Sequence, residues 1–456
     1  MSYKSTLKNN TILLTIGTLI NKGFQFLAVY LYSSWLSIDE YGQFDLICTY
    51  VALMIPILSL STQEAIFRLT VNDDDKKKDY ISSAFVFDMV MFLLLSIILI
   101  LLWGINNKIV VYYLIYLLAE EISTYMRGFL RAIKRLDLYS YGLIYQTFFT
   151  FVFVWCFFNR LDDGLEAILL GYAIGTGFGD IYLMCKSHWI DYWEVSNVRF
   201  SSVKKLIEYS LPLVPNEISW WLMNASDRQI INYFFGSWAN GLYAIAHKVP
   251  AICSLLLNMF SISWQQEIVE RVDNNSIANT DVTFNIFLKF LLSLCSVILA
   301  SNFVFYYFYW DNKYFSAIGY SSILILAAFE TAICQFLGGI QTAYKQTKAI
   351  GVSTIIGGGF NVFAHVVLIH FCGLYAAAIS TVLGNLVILT IRFFSLRHFL
   401  KLRFFSYNIP IVVIFIYFFI ISFVHKNMLV NWVNFLVSVV LFVLVNREFL
   451  KQIIRR

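Results

Sequence analysis

With 456 residues, 59% of them hydrophobic and 13% charged, and a mean hydropathy of +0.70, the chain is too poor in charge for a soluble globular protein. Apolar stretches of about 20 residues recur from end to end, each long enough to cross ~30 Å of hydrocarbon. The formal net charge of +5 is modest, so its distribution says more than its sum. The expected fold class is an all-α polytopic membrane protein.

Membrane spans are expected at 11–33, 43–68, 81–103, 109–127, 138–158, 164–185, 207–235, 240–268, 281–309, 315–344, 349–370, 373–395, 407–424 and 428–446. That makes about 14 transmembrane helices. The first span lacks a small-residue cleavage site and reads as retained. With the N-terminus placed in the cytoplasm, the outer connections hold only Lys108, Arg160, Lys313 and Lys426. Lys22, Arg228, Lys248 and Lys289 lie inside spans, and every other Lys and Arg falls on the cytoplasmic side. This positive-inside bias supports the span count and predicts both termini cytoplasmic.

In chain order, span one carries Lys22, and Asp39-Glu40-Tyr41-Gly42 reads as an outer turn. Span two passes Pro56 as a tolerated kink and reaches Glu64 near the cytoplasm. The run Asp73 to Asp79 reads as a solvated loop. Span three holds Asp88, span four Glu120-Glu121, and span ten Glu330. Asp88 and Glu120-Glu121 are each candidate proton or cation sites, and Glu64, Asp88, Glu217 and Glu330 are candidates for ion coupling; snorkelling, or pairing with a nearby cation such as Arg127, is the plainer reading of such acids. Gly171, Gly175 and Gly179, four apart in span six, make a close-packing seam. Gly357-Gly358-Gly359 is expected to loosen span eleven, and His365 there reads as a hydrogen-bonded packing residue. The seven cysteines form no CxxC pair and read as apolar packers.

The polar connection from Lys186 to Lys205 separates six spans from eight. The expected domains are therefore an N-terminal lobe 1–185, a cytoplasmic linker 186–206, a C-terminal lobe 207–400, and accessory helices with a tail over 401–456. Ser34-Trp35 followed by Tyr41-Gly42 resembles Ser237-Trp238 followed by Gly241-Leu242-Tyr243, a faint repeat that aligns spans one and two with seven and eight.

The stretch Leu211 to Gln265 concentrates the polar signal. Glu217, Trp221, Asn224 and Arg228 recur at intervals of four, three and four, which places them on one helix face. Counted at ~1.5 Å per residue from the turn near Gly236, Arg228 and Lys248 lie roughly 10–12 Å below the surface. Two cations at matched depth point to a cavity or a transport pathway. No GK dipeptide, hence no Walker loop, occurs, nor any HExxH or Cys/His cluster. Outer connections are too short for an extracytoplasmic catalytic domain. The chain is thus expected to be no enzyme, with no cofactor, metal site or nucleic-acid partner.

LPLVPNEISWWLMNASDRQIINYFFGSWANGLYAIAHKVPAICSLL resembles the signature region of the Wzx-type oligosaccharide flippases, in the MATE-like MOP exporter superfamily. NTILLTIGTLINKGFQFLAVYLYSSWLSIDEYGQFDLICTYVALMIPILSLSTQEAIFR is similar to that family's first two helices. The resemblance implies two six-helix lobes forming a V-shaped central cavity, plus two accessory C-terminal helices. It implies flipping of an undecaprenyl-diphosphate-linked oligosaccharide from the inner to the outer leaflet of the bacterial inner membrane by alternating access. Lys22, Arg228 and Lys248 match its cavity-facing positions as substrate-binding cations, with Glu217, Trp221, Asn224 and Asp227 as polar or sugar contacts. Asp227-Arg228 keeps the family pair, whereas His247-Lys248 departs from its usual Asn-Lys. Contacts with a polysaccharide polymerase and a chain-length regulator stay open, as does service to O-antigen (lipopolysaccharide), capsule or exopolysaccharide. The rivals are a peptidoglycan lipid precursor flippase, a drug or cation exporter, and a membrane glycan polymerase or ligase.

Overall fold

A computed structural model describes residues 21–70, 76–273, 280–309, 313–344, 346–397, 408–424 and 427–447; some side chains within 216–273, Asn224 among them, lie outside the described set. The regular structure of the described residues is all helix, with no strand, and ten helices are long and apolar enough to cross a membrane. Contacts divide the chain into two compact units, Met1–Ala225 and Ser226–Arg456.

The N-terminal unit opens with α1 (21–35) and α2 (Ile38–Leu58). Ser37 caps α2 reciprocally: its hydroxyl accepts from the Glu40 amide at 3.2 Å, and the Glu40 carboxylate accepts from the Ser37 amide at 2.7 Å. Asp39 to Gly42, expected as an outer turn, is therefore the first turn of this helix, where acidic residues suit the positive end of the dipole.

The expected span 43–68 is two helices. After Pro56 the chain leaves α2 at Ser59, and α3 (Thr62–Thr70) begins only three residues later. Between them Leu60 (φ 47°) and Ser61 (φ 59°) adopt the left-handed conformation, which costs a non-glycine residue roughly 1–2 kcal/mol each. The Ser59 hydroxyl steadies the break by accepting from the Ser61 amide at 3.2 Å.

Next come α4 (Lys77–Trp103), α5 (Lys108–Ala132), α6 (Leu136–Phe158) and α7 (Gly164–Lys186). α5 runs five residues beyond its expected end at 127. The glycine seam of α7 lies on α6: a Cβ on Gly171 would stand 2.5 Å from the Val154 Cα, and one on Gly179 2.6 Å from the Gln146 Cγ. Gly175 meets Thr150 between them, so two antiparallel four-residue ladders close backbone against backbone.

The connection after α7 docks on this unit. Trp189 donates to the Tyr125 hydroxyl at 3.1 Å, Ser82 and Ser83 hydroxyls accept from the amides of Glu194 and Arg199, and Arg199 pairs with Asp79 at 3.2 Å. Asp79 is therefore a buried ion-pair member and differs from the solvated reading of its run; residues 71–75 lie outside the described residues. The expected span 207–235 is also interrupted: α8 (Phe200–Ser210) packs on α3 and α4, a 3-10 turn at Leu211–Leu213 follows, and α9 (Val214–Ala246) begins beyond Pro212.

Within α9 the one non-helical residue is Gly236 (φ 78°, ψ 178°), a conformation that glycine adopts without a Cβ penalty. The hairpin expected over Gly236–Gly241 is thus compressed into a single residue. The C-terminal unit continues with α10 (Lys248–Asp273), α11 (Thr280–Tyr309), α12 (Ala317–Ala343), α13 (Thr347–Cys372), α14 (Tyr375–Leu396), α15 (Ile409–Val424) and α16 (Met428–Val445). Trp264 stacks on Phe336 with centroids 4.3 Å apart, and its indole donates to the Phe336 carbonyl at 3.0 Å, tying α10 to α12. α13 runs unbroken through Gly357-Gly358-Gly359, contrary to the loosening expected there. Gly357 abuts Ile388 and the Gly384 carbonyl, so it serves close approach to α14. α15 and α16 pack on α11 and leave broad apolar faces exposed, as a lipid-facing pair should.

Candidate functional site

The N-terminal unit holds an open polar chamber of about 450 Å³ lined by α2, α3, α5, Tyr139 of α6 and the start of α9. A second space of about 200 Å³ lies among α1, α5, α6 and α7, and Glu120 and Arg127 line both. The larger volume lies in the range of about 300–1,000 Å³ typical of small-ligand sites.

One face of α5 supplies most of the chemistry. Glu120, Thr124, Arg127 and Arg131 follow one another at intervals of four, three and four, and all four line the larger chamber. This is the same spacing that marks Glu217 to Arg228 in span seven. It was legible in the sequence, but ending span four at residue 127 assigned Arg127 and Arg131 to the cytoplasmic surface.

The two guanidinium groups are held differently. Arg131 donates to both Glu64 carboxylate oxygens, at 2.6 and 3.2 Å, and its guanidinium lies 4.2 Å from the Phe67 ring centroid. Glu64 is thereby engaged in an ion pair. Arg127 donates to the hydroxyls of Ser123 at 2.8 Å and Thr124 at 2.7 Å, neutral groups on its own helix. Among the described residues it makes no ion pair. Its side chain is braced by these contacts and lines both spaces beside Glu120. Gln146 extends the network, donating to Ser123 at 2.9 Å and to Asp180 at 2.5 Å.

Glu217 lines the larger chamber, and Trp221 donates to the Thr49 carbonyl at 2.8 Å, which pins the start of α9 to α2. Asn224 has its side chain outside the described residues. Lys22 is exposed and donates at 3.0 Å to Gln25, a lining residue of the smaller space.

Asp88 stands apart from the chamber. It is 1% exposed and accepts from the Thr62 hydroxyl at 2.9 and 3.1 Å.

The remaining candidates belong to the C-terminal unit. Arg228 and Lys248 are half-buried on α9 and α10. Asp227 is buried and surrounded by the Tyr243 hydroxyl at 3.0 Å, the Thr381 hydroxyl at 3.3 Å and the His365 Nδ1 at 3.2 Å. His365 is fully buried, a hydrogen-bonded packing residue joining α13 to α9. Glu330 is buried on α12 at 5% exposure.

A sequence profile of one family, described as polysaccharide biosynthesis protein, matches residues 7–265. No curated protein matches the chain. Among solved structures, the lipid II flippase MurJ in an inward closed conformation is similar with a TM-score of 0.69 at 14% identity, covering 97% of this chain and 100% of that one. An inward-facing multidrug resistance MATE family transporter of the MOP superfamily gives 0.65 at 13% identity, covering 89% and 98%. A MOP superfamily transporter from Pyrococcus furiosus, described as having a binding pocket of reversed polarity, gives 0.57 at 13% identity, covering 89% and 96%. At these identities the likeness establishes a shared fold.

Proposed function

The chain belongs to the polysaccharide biosynthesis protein family, a multi-pass membrane protein with the MOP-superfamily fold, and on that premise we propose that it flips a lipid-linked oligosaccharide. The substrate is an oligosaccharide repeat unit on undecaprenyl diphosphate, carried from the inner to the outer leaflet of a bacterial inner membrane by alternating access. Both termini face the cytoplasm, in keeping with the placement of Lys and Arg along the chain.

The physical problem is to carry a diphosphate, with about two negative charges, past a low-dielectric layer. The observation that supports this reading is Arg127, a braced guanidinium without an ion-pair partner among the described residues, facing a chamber of about 450 Å³. A planar fork binds phosphate oxygens in pairs, and its preorganisation by Ser123 and Thr124 lowers the ordering cost. In the N-terminal unit Arg127 and Lys22 are assigned to the diphosphate; in the C-terminal unit, Arg228 and Lys248. Tyr116, Tyr139 and Glu217 offer sugars hydroxyl and carboxylate partners.

The test is Arg127→Ala, Arg127→Lys, Arg228→Ala and Arg228→Lys in the native host, at matched protein level. The Ala variants should lose at least tenfold of surface polysaccharide and accumulate lipid-linked repeat units in the inner leaflet, with partial recovery in the Lys variants. Full polysaccharide from a well-expressed Arg127→Ala variant would remove this residue from the site.

The carboxylates of Glu120 and Glu217 in the same chamber favour a second reading, export of an organic cation. In that case the Glu120→Gln and Glu217→Gln variants lose drug resistance while surface polysaccharide is unchanged.

A further inference from the structure

The smaller space of the N-terminal unit differs in kind from the chamber beside it. Asn21, Gln25, Ala28 and Tyr32 of α1 line it at intervals of four, three and four, the period of one helix face. Gln146, Thr147 and Thr150 come from α6, Tyr172 and Thr176 from α7, and Ser123 from α5. Of the lining residues only Ala28 and Leu143 are apolar. Glu120 and Arg127, one acid and one base, stand on the wall shared with the chamber, so the space carries no excess of either sign.

This lining selects among small ligands. A hydrocarbon would leave the amides and hydroxyls unpaired, a cost of about 1–3 kcal/mol for each group. Water fits, roughly six molecules at about 30 Å³ each in about 200 Å³. A sugar ring replaces such a cluster group for group, because its hydroxyls both donate and accept while its C–H face packs on aromatic rings. The volume falls below the ~300–1,000 Å³ of drug-sized sites, which suits one ring and not a chain of them. Polar groups at the wall also remain unengaged. Tyr32 is 1% exposed, and its hydroxyl, beside the Tyr172 side chain, makes no hydrogen bond of good geometry among the described residues. The Tyr32 and Tyr172 rings meet edge to face with centroids 5.7 Å apart. Gln146 uses its amide N–H groups on Ser123 and Asp180, which leaves its carbonyl oxygen as an acceptor. The wall is rigid where Gly175 closes on the Thr150 backbone and Gly179 on Gln146.

We propose that this space binds a single neutral pyranose unit, with Gln25, Tyr32 and Gln146 as its hydrogen-bonding contacts and the Tyr172 ring as a packing surface. Gln25 accepts from Lys22 at 3.0 Å, a contact that orients its amide. The Glu120 carboxylate adds an acceptor for sugar hydroxyls on the shared wall. Arg127 lines both spaces, so a ligand that sets an anionic group on Arg127 can set an attached sugar on the far side of the same wall. The α1 face then discriminates between sugars that differ in the orientation of one hydroxyl, since a mismatched hydroxyl leaves a buried group unpaired. That the sugar belongs to a lipid-linked substrate rests on the flippase reading; the sugar site itself does not.

The experiment is saturation-transfer difference NMR on the purified full-length protein in lipid nanodiscs, with empty nanodiscs as the blank. The probes are the methyl glycosides of glucose, galactose, N-acetylglucosamine and N-acetylgalactosamine, with tetraethylammonium as the probe for an organic cation. At least one glycoside is expected to receive saturation on its ring protons, and Tyr32→Phe and Gln25→Leu should each reduce that signal at least fivefold. Tyr32→Phe removes one oxygen and keeps the ring packing, and Gln25 is exposed, so both variants should keep the thermal midpoint of the wild type. Loss of signal in either folded variant places the sugar in this space. Three results would overturn the site: no glycoside signal above the blank, which leaves a water-filled space; a signal unchanged in both variants; or displacement of the glycoside by tetraethylammonium. The probes carry no phosphate and nothing is transported, so a negative result here leaves the flippase reading standing. A carrier of some other substrate would still give the sugar signal.

Discussion

Arg392 shows how a single cation is accommodated inside a membrane unit. It is 7% exposed, and its guanidinium donates to the Ser353 hydroxyl at 3.2 Å, the Cys334 carbonyl at 2.6 Å and the Thr354 hydroxyl at 3.0 Å. A Cβ on Gly338 would stand 2.7 Å from its Nη1, so the glycine makes the room. Arg392→Lys keeps the charge but not the planar fork, and should destabilise the protein by about 2 kcal/mol, the scale of a lost charge-assisted hydrogen bond. Thermal unfolding in detergent measures this, and an unchanged midpoint would contradict it. The surface-accessible pair behaves differently. Glu64 and Arg131 are 37% and 28% exposed, and a double-mutant cycle between them should return no more than about 1 kcal/mol. Sequence patterning found Arg392 as a basic residue near a span end but could not show its burial. Hydropathy reports the average of a helix, whereas the partners of one side chain come from other helices. For the same reason Asp88 and Glu330 were legible as intramembrane acids, while Thr62, whose hydroxyl donates to Asp88, was not legible as its partner.

At the scale of elements, helix existence was legible and helix interruption was not. The seam Gly171, Gly175, Gly179 was readable because small residues four apart fall on one face, and Val154, Thr150 and Gln146 complete it on α6. Gly171→Val should cost about 1–3 kcal/mol through overpacking. Gly177, on the same helix with nothing within 4 Å of a Cβ, should accept Ala with a small gain in stability. Unfolding of the two variants side by side tests the seam against a plain helix-propensity effect. The break at Ser59–Ser61 gave no such signal. Its residues are Ser-Leu-Ser, Pro56 lies three residues upstream, and left-handed backbone at a leucine is imposed by packing that a local pattern does not contain. Compression of the turn into Gly236 escaped for a related reason: Gly236 and Gly241 both suit a turn, and only the surrounding helices select one.

For the molecule as a whole, composition and charge asymmetry carry the orientation. Lys and Arg concentrate in connections on one side, which predicts that the 104–107 turn and the 187–199 connection face opposite compartments. Asn106 and Ser196 are both exposed. Asn106→Cys should react with a membrane-impermeant maleimide added to intact cells, and Ser196→Cys only after permeabilisation. Reaction of both from outside would reverse the orientation. Each unit also carries its own polar assembly, the Ser123–Arg127–Gln146–Asp180 network in one and the Asp227–Tyr243–His365–Thr381 group in the other. Hydrogen bonds between side chains of different helices fix which helices pack together, something that apolar contacts alone specify loosely.

The docking of Trp189 against Tyr125 has an optical consequence. Trp189 and Trp193 stack with centroids 5.3 Å apart at 20°, and Phe85 packs edge-on against both. Two indoles this close share their excited states, so the pair should give an exciton couplet in circular dichroism that no isolated tryptophan produces. Trp189 is hydrogen-bonded to a tyrosine one helical turn from Glu121. The chain therefore contains a native chromophore close to a buried carboxyl group, and the couplet offers a label-free signal for watching that end of the N-terminal unit as substrate is added.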